Sequence, residues 1–239
     1  MNQNELKTSW GQRIMIAVIA AILLGSTLAV YVSIVLSGSN SSSTSGLDEE
    51  KIAALEKKYD EKYTEYQATA SSLGETYFET LSSYRSEVSS YNAEAANSVG
   101  VSIKDLKVGD GEEITSESEG YGAYYIGWCP DEEVFDSSFN DFSNPTALNA
   151  PLIVEQNALI AGWYKGVDGM RVGGVREVSI SSDYAYASSD QEESTIPCGS
   201  KTSPIKFIIL TVPISDEFKT LASELSEIYT ELMYSYYGN

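Results

Sequence analysis

The sequence predicts an α+β protein: an antiparallel sheet domain with one short helix, bracketed by two amphipathic helices and preceded by a membrane-spanning helix. Three observations predict it. Ile14 to Leu36 reads IMIAVIAAILLGSTLAVYVSIVL, 23 residues without a charged side chain. Residues 99–214 break into short apolar or alternating runs, among them Tyr121–Trp128, Val175–Ser181 and Ile205–Val212, separated by Gly, Pro, Asn and Ser clusters. That pattern belongs to antiparallel strands with loops. On both sides of this stretch apolar residues recur every three or four positions, the period of a helix with one buried face.

At about 1.5 Å per residue the apolar run is long enough for a hydrocarbon core of ~30 Å. A cleaved signal peptide is the competing reading, since Thr27-Leu28-Ala29 could imitate a cleavage site. The run continues past Ala29 to Leu36, longer than a signal peptide's apolar region, which favours an uncleaved anchor. No cysteine follows it, so it is not a lipoprotein anchor. Lys7 and Arg13 precede the span, whereas Asp48, Glu49 and Glu50 are the first charges after it. The positive-inside rule then places residues 1–13 in the cytoplasm and 37–239 outside. The outer part holds 13 of the 15 basic and 34 of the 35 acidic residues, so nearly all excess negative charge is exported with it.

Residues 37–46 (SGSNSSSTSG) contain no apolar side chain and read as a flexible tether. Residues 47–98 follow as one long amphipathic helix without proline. Ile52, Leu55, Tyr59, Tyr63 and Tyr66 line its first part. Leu73, Tyr77, Leu81, Tyr84, Val88 and Tyr91 continue as an approximate heptad seam. A stripe this rich in tyrosine suits a packing helix or stalk, or a shallow groove for unfolded chain. Residues 215–239 repeat the theme. Ser215 can cap, Asp216 and Glu217 suit the first turn, and Phe218, Leu221, Leu225, Ile228, Leu232 and Tyr236 share a face. The two helices suggest a module built from both chain ends, and homo-oligomeric pairing is the competing use of the same seams.

Composition narrows the chemistry. There is no histidine, which removes Ser-His-Asp and Cys-His catalysis and imidazole metal ligands. A net charge of −20 argues against nucleic-acid partners, which require a basic face. The acidic runs Asp131–Glu133 and Asp190–Glu193 lack the glycine-spaced ligands of a calcium loop. No metal or cofactor is expected. The two cysteines, Cys129 and Cys198, permit one disulfide in an oxidising compartment.

The middle stretch carries a family resemblance. Lys107-Val108-Gly109-Asp110-Gly111 opens it. Tyr124-Tyr125-Ile126-Gly127 and Val134-Phe135-Asp136-Ser137-Ser138 follow, then Leu159-Ile160-Ala161-Gly162-Trp163 with Gly166-Val167-Asp168-Gly169-Met170-Arg171-Val172-Gly173. Asp183-Tyr184-Ala185-Tyr186, Thr195-Ile196-Pro197 and Ile205-Lys206-Phe207 close the series. In this order the blocks resemble the FKBP-type peptidyl-prolyl cis–trans isomerases. The resemblance implies a twisted antiparallel sheet wrapped on one short helix, here Leu159 to Gly169, with an aromatic-lined pocket between them.

By position, the resemblance implies a catalytic pocket of Tyr125, Phe135, Asp136, Ile160, Trp163, Tyr186 and Phe207, with Leu159 and Ile196 contacting substrate. Trp163 would be its floor, and the Ile160 N–H and Tyr186 hydroxyl would bind substrate carbonyls. Asp136, a carboxylate inside an aromatic cluster, must find a partner. Cys129 would end one central strand and Cys198 would precede its neighbour, which implies a Cys129–Cys198 disulfide.

Two positions and two segments depart from the family pattern. Ala187 replaces a glycine after the Ala-Tyr pair, and Asp141 falls near the position where the family has an arginine that would pair with Asp136. Phe139–Val154 is longer, so that Ala150 or Leu152 replaces a pocket phenylalanine. The loop 187–194 is acidic and lacks glycine.

The implied function is isomerisation of Xaa-Pro bonds in exported, unfolded polypeptides by a membrane-anchored foldase. A binding module without turnover and a helical stalk with a passive cap are the alternatives. Twisting an Xaa-Pro amide must overcome a barrier of about 18–20 kcal/mol. A dry aromatic pocket can lower it without acid, base, nucleophile or metal, by binding the twisted amide better than either planar form.

Overall fold

The computed structural model describes residues 49–115, 117, 118 and 120–237. The expected span at 14–36, the cytoplasmic segment and the tether lie outside the described residues. Among the described residues no helix is long and apolar enough to cross a membrane.

The described chain forms two compact units, one from residues up to Ala68 with those from Glu217 onward, the other from Thr69 to Asp216. Helix α1, Glu49–Ser82, contributes to both. In the first unit its early turns are paired with the C-terminal helix, Asp216–Tyr237. Ile52, Leu55, Tyr59 and Tyr66 are buried on one side and Phe218, Leu221, Leu225, Ile228 and Leu232 on the other. Tyr66 stacks on Phe218 with ring centroids 4.8 Å apart. Lys62 Nζ meets Glu224 Oε2 at 2.9 Å, and Lys51 Nζ meets Glu231 Oε1 at 2.9 Å. The Tyr236 hydroxyl donates to Glu56 Oε1. These contacts run in opposite chain directions, so the pair is an antiparallel helical hairpin.

The second unit is built on a sheet whose named strands are all antiparallel. After α1 come a 3₁₀ turn at Arg85–Glu87, α2 at Ala93–Val99, and the strands β1 Val101–Lys107, β2 Glu113–Ile114, β3 Tyr121–Trp128, β4 Val134–Ser137 and β5 Leu152–Val154. The short helix α3, Ala161–Val167, is followed by β6 Met170–Arg171, β7 Val175–Ile180 and β8 Ile205–Val212. We number the C-terminal helix α4. The main sheet has the order β1-β7-β8-β3-β4, with β5 sharing the β4 edge of β3, and β2 and β6 form a separate ribbon.

Strand periodicity sorts the core into two faces, because successive side chains of a strand point to opposite sides. Tyr121 and Ala123 of β3 and Ile205, Phe207 and Ile209 of β8 meet Trp163 and Val167 of α3. Tyr124, Ile126 and Trp128 of β3 and Ile208, Leu210 and Val212 of β8 point the other way, toward Leu81. Both faces are covered, which is why β3 and β8 read as nearly continuous apolar runs. Helix α3 lies close on β7 because it carries glycines where it touches. A Cβ on Gly162 would stand 2.2 Å from Ile180 Cγ2, and one on Gly166 would stand 2.4 Å from Val178 Cγ1.

The single helix expected over 47–98 is not what forms. Helix α1 ends at Ser82. The seam continues as Tyr84, Val88 and Tyr91, packed with Tyr77 and Phe78 on the second face of the sheet. Trp128 Nε1 donates to Ser89 O at 2.9 Å and the Tyr91 hydroxyl to Pro204 O at 2.9 Å. The seam found its partner in a sheet rather than another helix. Serines at 82, 83, 86, 89 and 90 make the segment a weak helix former that follows the sheet instead.

Candidate functional site

The site forms where β3, β4, β8 and α3 meet. Four rings pack edge to face. Trp163 and Phe207 have centroids 5.4 Å apart at 73°, Tyr125 and Trp163 5.7 Å at 89°, Tyr125 and Phe207 6.0 Å at 72°, and Phe135 and Phe207 5.6 Å at 85°. Such T-shaped contacts set a ring's positive edge against its neighbour's negative face. Trp163 is 3% exposed and Phe207 5%, so they form the floor. Tyr125, Phe135, Leu159, Ile160 and Tyr186 pack on that floor half-buried, and Ile196 is buried beside them. Gly127 makes room for the rings, since a Cβ there would lie 2.7 Å from both Phe135 Cζ and Phe207 Cε1.

Supporting hydrogen bonds hold this geometry. Trp163 Nε1 donates to the Tyr121 hydroxyl at 3.3 Å. The Ser138 hydroxyl accepts from Tyr125 N at 2.8 Å while Ser138 N donates to Tyr125 O at 2.9 Å, tying β4 to β3 beneath Tyr125. The Tyr164 hydroxyl accepts from Ala158 N and Leu159 N and donates to Glu155 O at 2.6 Å, which fixes the loop carrying Leu159 and Ile160.

Two donors remain unengaged. Ile160 is the extended N-cap of α3, and its carbonyl accepts from Trp163 N at 3.0 Å. Among the described residues the Ile160 N–H donates to no protein acceptor, nor does the Tyr186 hydroxyl. Burial, with the Asp136 charge second, raises the Tyr186 hydroxyl above its ordinary range. Burial also raises that of Tyr125, again with Asp136 adding to the effect. Both phenols are therefore held protonated, as donors. Half-buried at the pocket wall, both donors are open to a carbonyl-bearing ligand, and a hydrogen bond to either would contribute about 0.5–1.5 kcal/mol.

Asp136 differs from the expectation. Its carboxylate is exposed at the rim rather than enclosed by the aromatic rings. Its partner is the Tyr125 hydroxyl, which donates to Oδ2 at 2.5 Å. Among the described residues no lysine or arginine forms an ion pair with it. Asp141 lies in a separate turn, where Oδ1 accepts from Ser143 N at 2.9 Å and Asn144 N at 3.3 Å. Of the two residues considered for the vacant pocket position, Leu152 packs against the core cluster that contains Trp163 and Phe207. The long segment after Phe139 is organised by Asn140, whose Oδ1 accepts from Thr146 N and Ala147 N, both at 3.1 Å. Arg85 clamps it by donating to Phe142 O. Ala187 does not have positive φ, so this turn requires no glycine. Its N–H donates to Ser182 O at 3.0 Å.

Cys129, just after β3, is joined to Cys198, two residues beyond Ile196, with Cα atoms 5.7 Å apart. The acidic runs at 131–133 and 190–193 are exposed. Among the described residues no cluster of His, Cys, Asp or Glu could hold a metal ion.

Tyr121, Tyr164 and Ser138 were missed by sequence reasoning. Tyr121 shares the alternation of Ala123 and Tyr125 along β3, and that period could have found it. Tyr164 and Ser138 act through backbone partners that only the folded loops supply.

Comparison with known proteins gives the family. The family model for FKBP-type peptidyl-prolyl cis-trans isomerase matches residues 108–209. An FK506-binding protein of Neisseria meningitidis serogroup B is 38% identical over 87 residues, 36% of this chain and 74% of that protein. The chain belongs to the FKBP-type peptidyl-prolyl cis-trans isomerase family. FK506-binding protein 4 of Candida glabrata is 34% identical over 112 residues, 46% of this chain, and the chain spans only 26% of that relative's length. The crystal structure of AtFKBP13 aligns with 26% identity and a TM-score of 0.36, over 48% of this chain and 93% of that one.

Proposed function

We propose that this chain catalyses cis–trans isomerisation of Xaa-Pro bonds in exported polypeptides while anchored in a membrane. One observation carries the reading: two unengaged donors, Ile160 N–H and Tyr186 O–H, beside a floor of Trp163 and Phe207 rimmed by Tyr125 and Phe135. A proline ring settles on the aromatic floor and the donors take the carbonyls flanking it. The amide is thereby drawn from water into a dry site, where the twisted form, with less charge separation, is favoured over the planar form. The phenols act as hydrogen-bond donors, and no covalent bond to the protein forms.

Residues 14–36 are the anchor, with the N-terminus in the cytoplasm and the family domain outside. The Cys129–Cys198 disulfide supports that side, since such bonds persist in oxidising compartments. Protease added outside intact cells should remove the domain and leave a short membrane-bound fragment. A fully protected domain would refute this topology.

A second reading is a peptide-binding module with little turnover. The unpaired Asp136 favours it, because a rim charge without a cation partner is less rigidly held. Phe135→Ala decides between them. It removes an edge-to-face contact worth about 0.5–1.5 kcal/mol and should lower kcat/KM on a Leu-Pro peptide by about two- to tenfold, with the fold retained. Binding without catalysis in the unmodified chain would establish the module.

A further inference from the structure

We infer that this site prefers Xaa-Pro segments carrying a positive charge beside the proline, and that Asp136 sets the preference. The inference rests on the proposed peptide site and concerns its substrate class. Asp136 is bound on one side only, by the Tyr125 hydroxyl, at the mouth of the cluster formed by Tyr125, Phe135, Trp163 and Phe207. It is exposed, and among the described residues no cation neutralises it. Its field reaches into the site as far as the Tyr186 hydroxyl.

The loop beside the site adds charges of the same sign. The loop joining Tyr186 to Ile196 carries Asp190, Glu192 and Glu193, all exposed. Three lysines lie on the adjoining elements, and Lys206 of β8 is paired with Glu177 Oε1 at 3.2 Å. Lys165 sits over the Tyr184 ring, 5.2 Å from its centroid, and Lys201 follows the Cys198 turn. None of the three forms an ion pair with Asp136. A peptide whose proline rests on the floor therefore places its neighbouring side chain beside an uncompensated carboxylate. A lysine or arginine there is attracted, and a glutamate or aspartate is repelled.

The test uses the full chain in non-ionic detergent and blocked tetrapeptides that differ only before proline: Lys-Pro, Glu-Pro and the neutral Leu-Pro. The expected kcat/KM order is Lys-Pro above Glu-Pro by about three- to tenfold at low ionic strength, collapsing toward unity near 0.5 M NaCl as the charges are screened. Asp136→Asn keeps an acceptor for Tyr125 and removes only the charge, so it should cut that ratio at least in half. Equal rates for Lys-Pro and Glu-Pro at low salt, with Leu-Pro catalysed, would overturn the inference and leave the isomerase reading intact. If Leu-Pro is not catalysed, the isomerase reading fails, and the same three peptides are then compared by calorimetric Kd. There a Lys-Pro preference abolished by Asp136→Asn sustains the inference, and its absence overturns it.

Discussion

The chemistry of the site depends on a few side chains whose environments differ over short distances. Tyr125 and Tyr186 both have phenols raised by burial and by Asp136, yet one is engaged by the carboxylate and the other is unengaged. Tyr186→Phe should therefore lower kcat/KM by about threefold to tenfold, the value of one hydrogen bond, while leaving the melting temperature nearly unchanged. Wild-type activity should also be level between pH 6 and 9, since the chain has no histidine and both phenols stay protonated across that range. A pH–rate profile with a step near neutrality would contradict this. The aromatic members of the site could be named from the sequence because they fall in motif blocks whose order is itself information. The setting of Asp136 could not. Whether a carboxylate is enclosed or sits at the rim depends on how β4 leaves β3, which no motif block records.

Secondary structure was most readable where burial is two-sided. The strands β3 and β8 announce themselves as apolar runs because both faces of the sheet are covered. The end of α1 was not readable. A seam at three- and four-residue steps is satisfied equally by a neighbouring helix or by a sheet, and Tyr84, Val88 and Tyr91 stay in phase after the helix stops. The disulfide acts at this level too. It ties the end of β3 to the turn that carries Ile196, closing a loop of 69 residues. Replacing both cysteines with serine should destabilise the domain by about 2–4 kcal/mol in urea titration. Peptide affinity should fall further than turnover of the bound peptide, because Ile196 is no longer held in place. An unchanged urea midpoint would mean that the strand ladder alone fixes this turn.

Both compact units bury tyrosine heavily, and that gives the protein an alkaline limit. Burial pushes Tyr59, in the helical hairpin, up to about 12 and Tyr121, under the site, up to about 12. An unfolded tyrosine ionises near pH 10, so these groups contribute stability that is complete below that pH and is lost as pH rises toward 12. Tyrosinate absorbance and circular dichroism followed together should show buried tyrosines ionising only as the structure is lost. Ionisation of all 17 tyrosines near pH 10 with the dichroism intact would contradict it. The division into two units was hidden from the sequence, because one continuous helix contributes to both. The isomerase reading can be tested on the intact chain by NMR exchange spectroscopy, which measures cis–trans interconversion of a Leu-Pro peptide at equilibrium without a coupled protease. Substoichiometric protein should raise the exchange rate well above the uncatalysed value, and Phe135→Ala should return it most of the way. An exchange rate that the wild-type chain leaves unchanged, at concentrations where the peptide is bound, would contradict the assignment of this site as an isomerase.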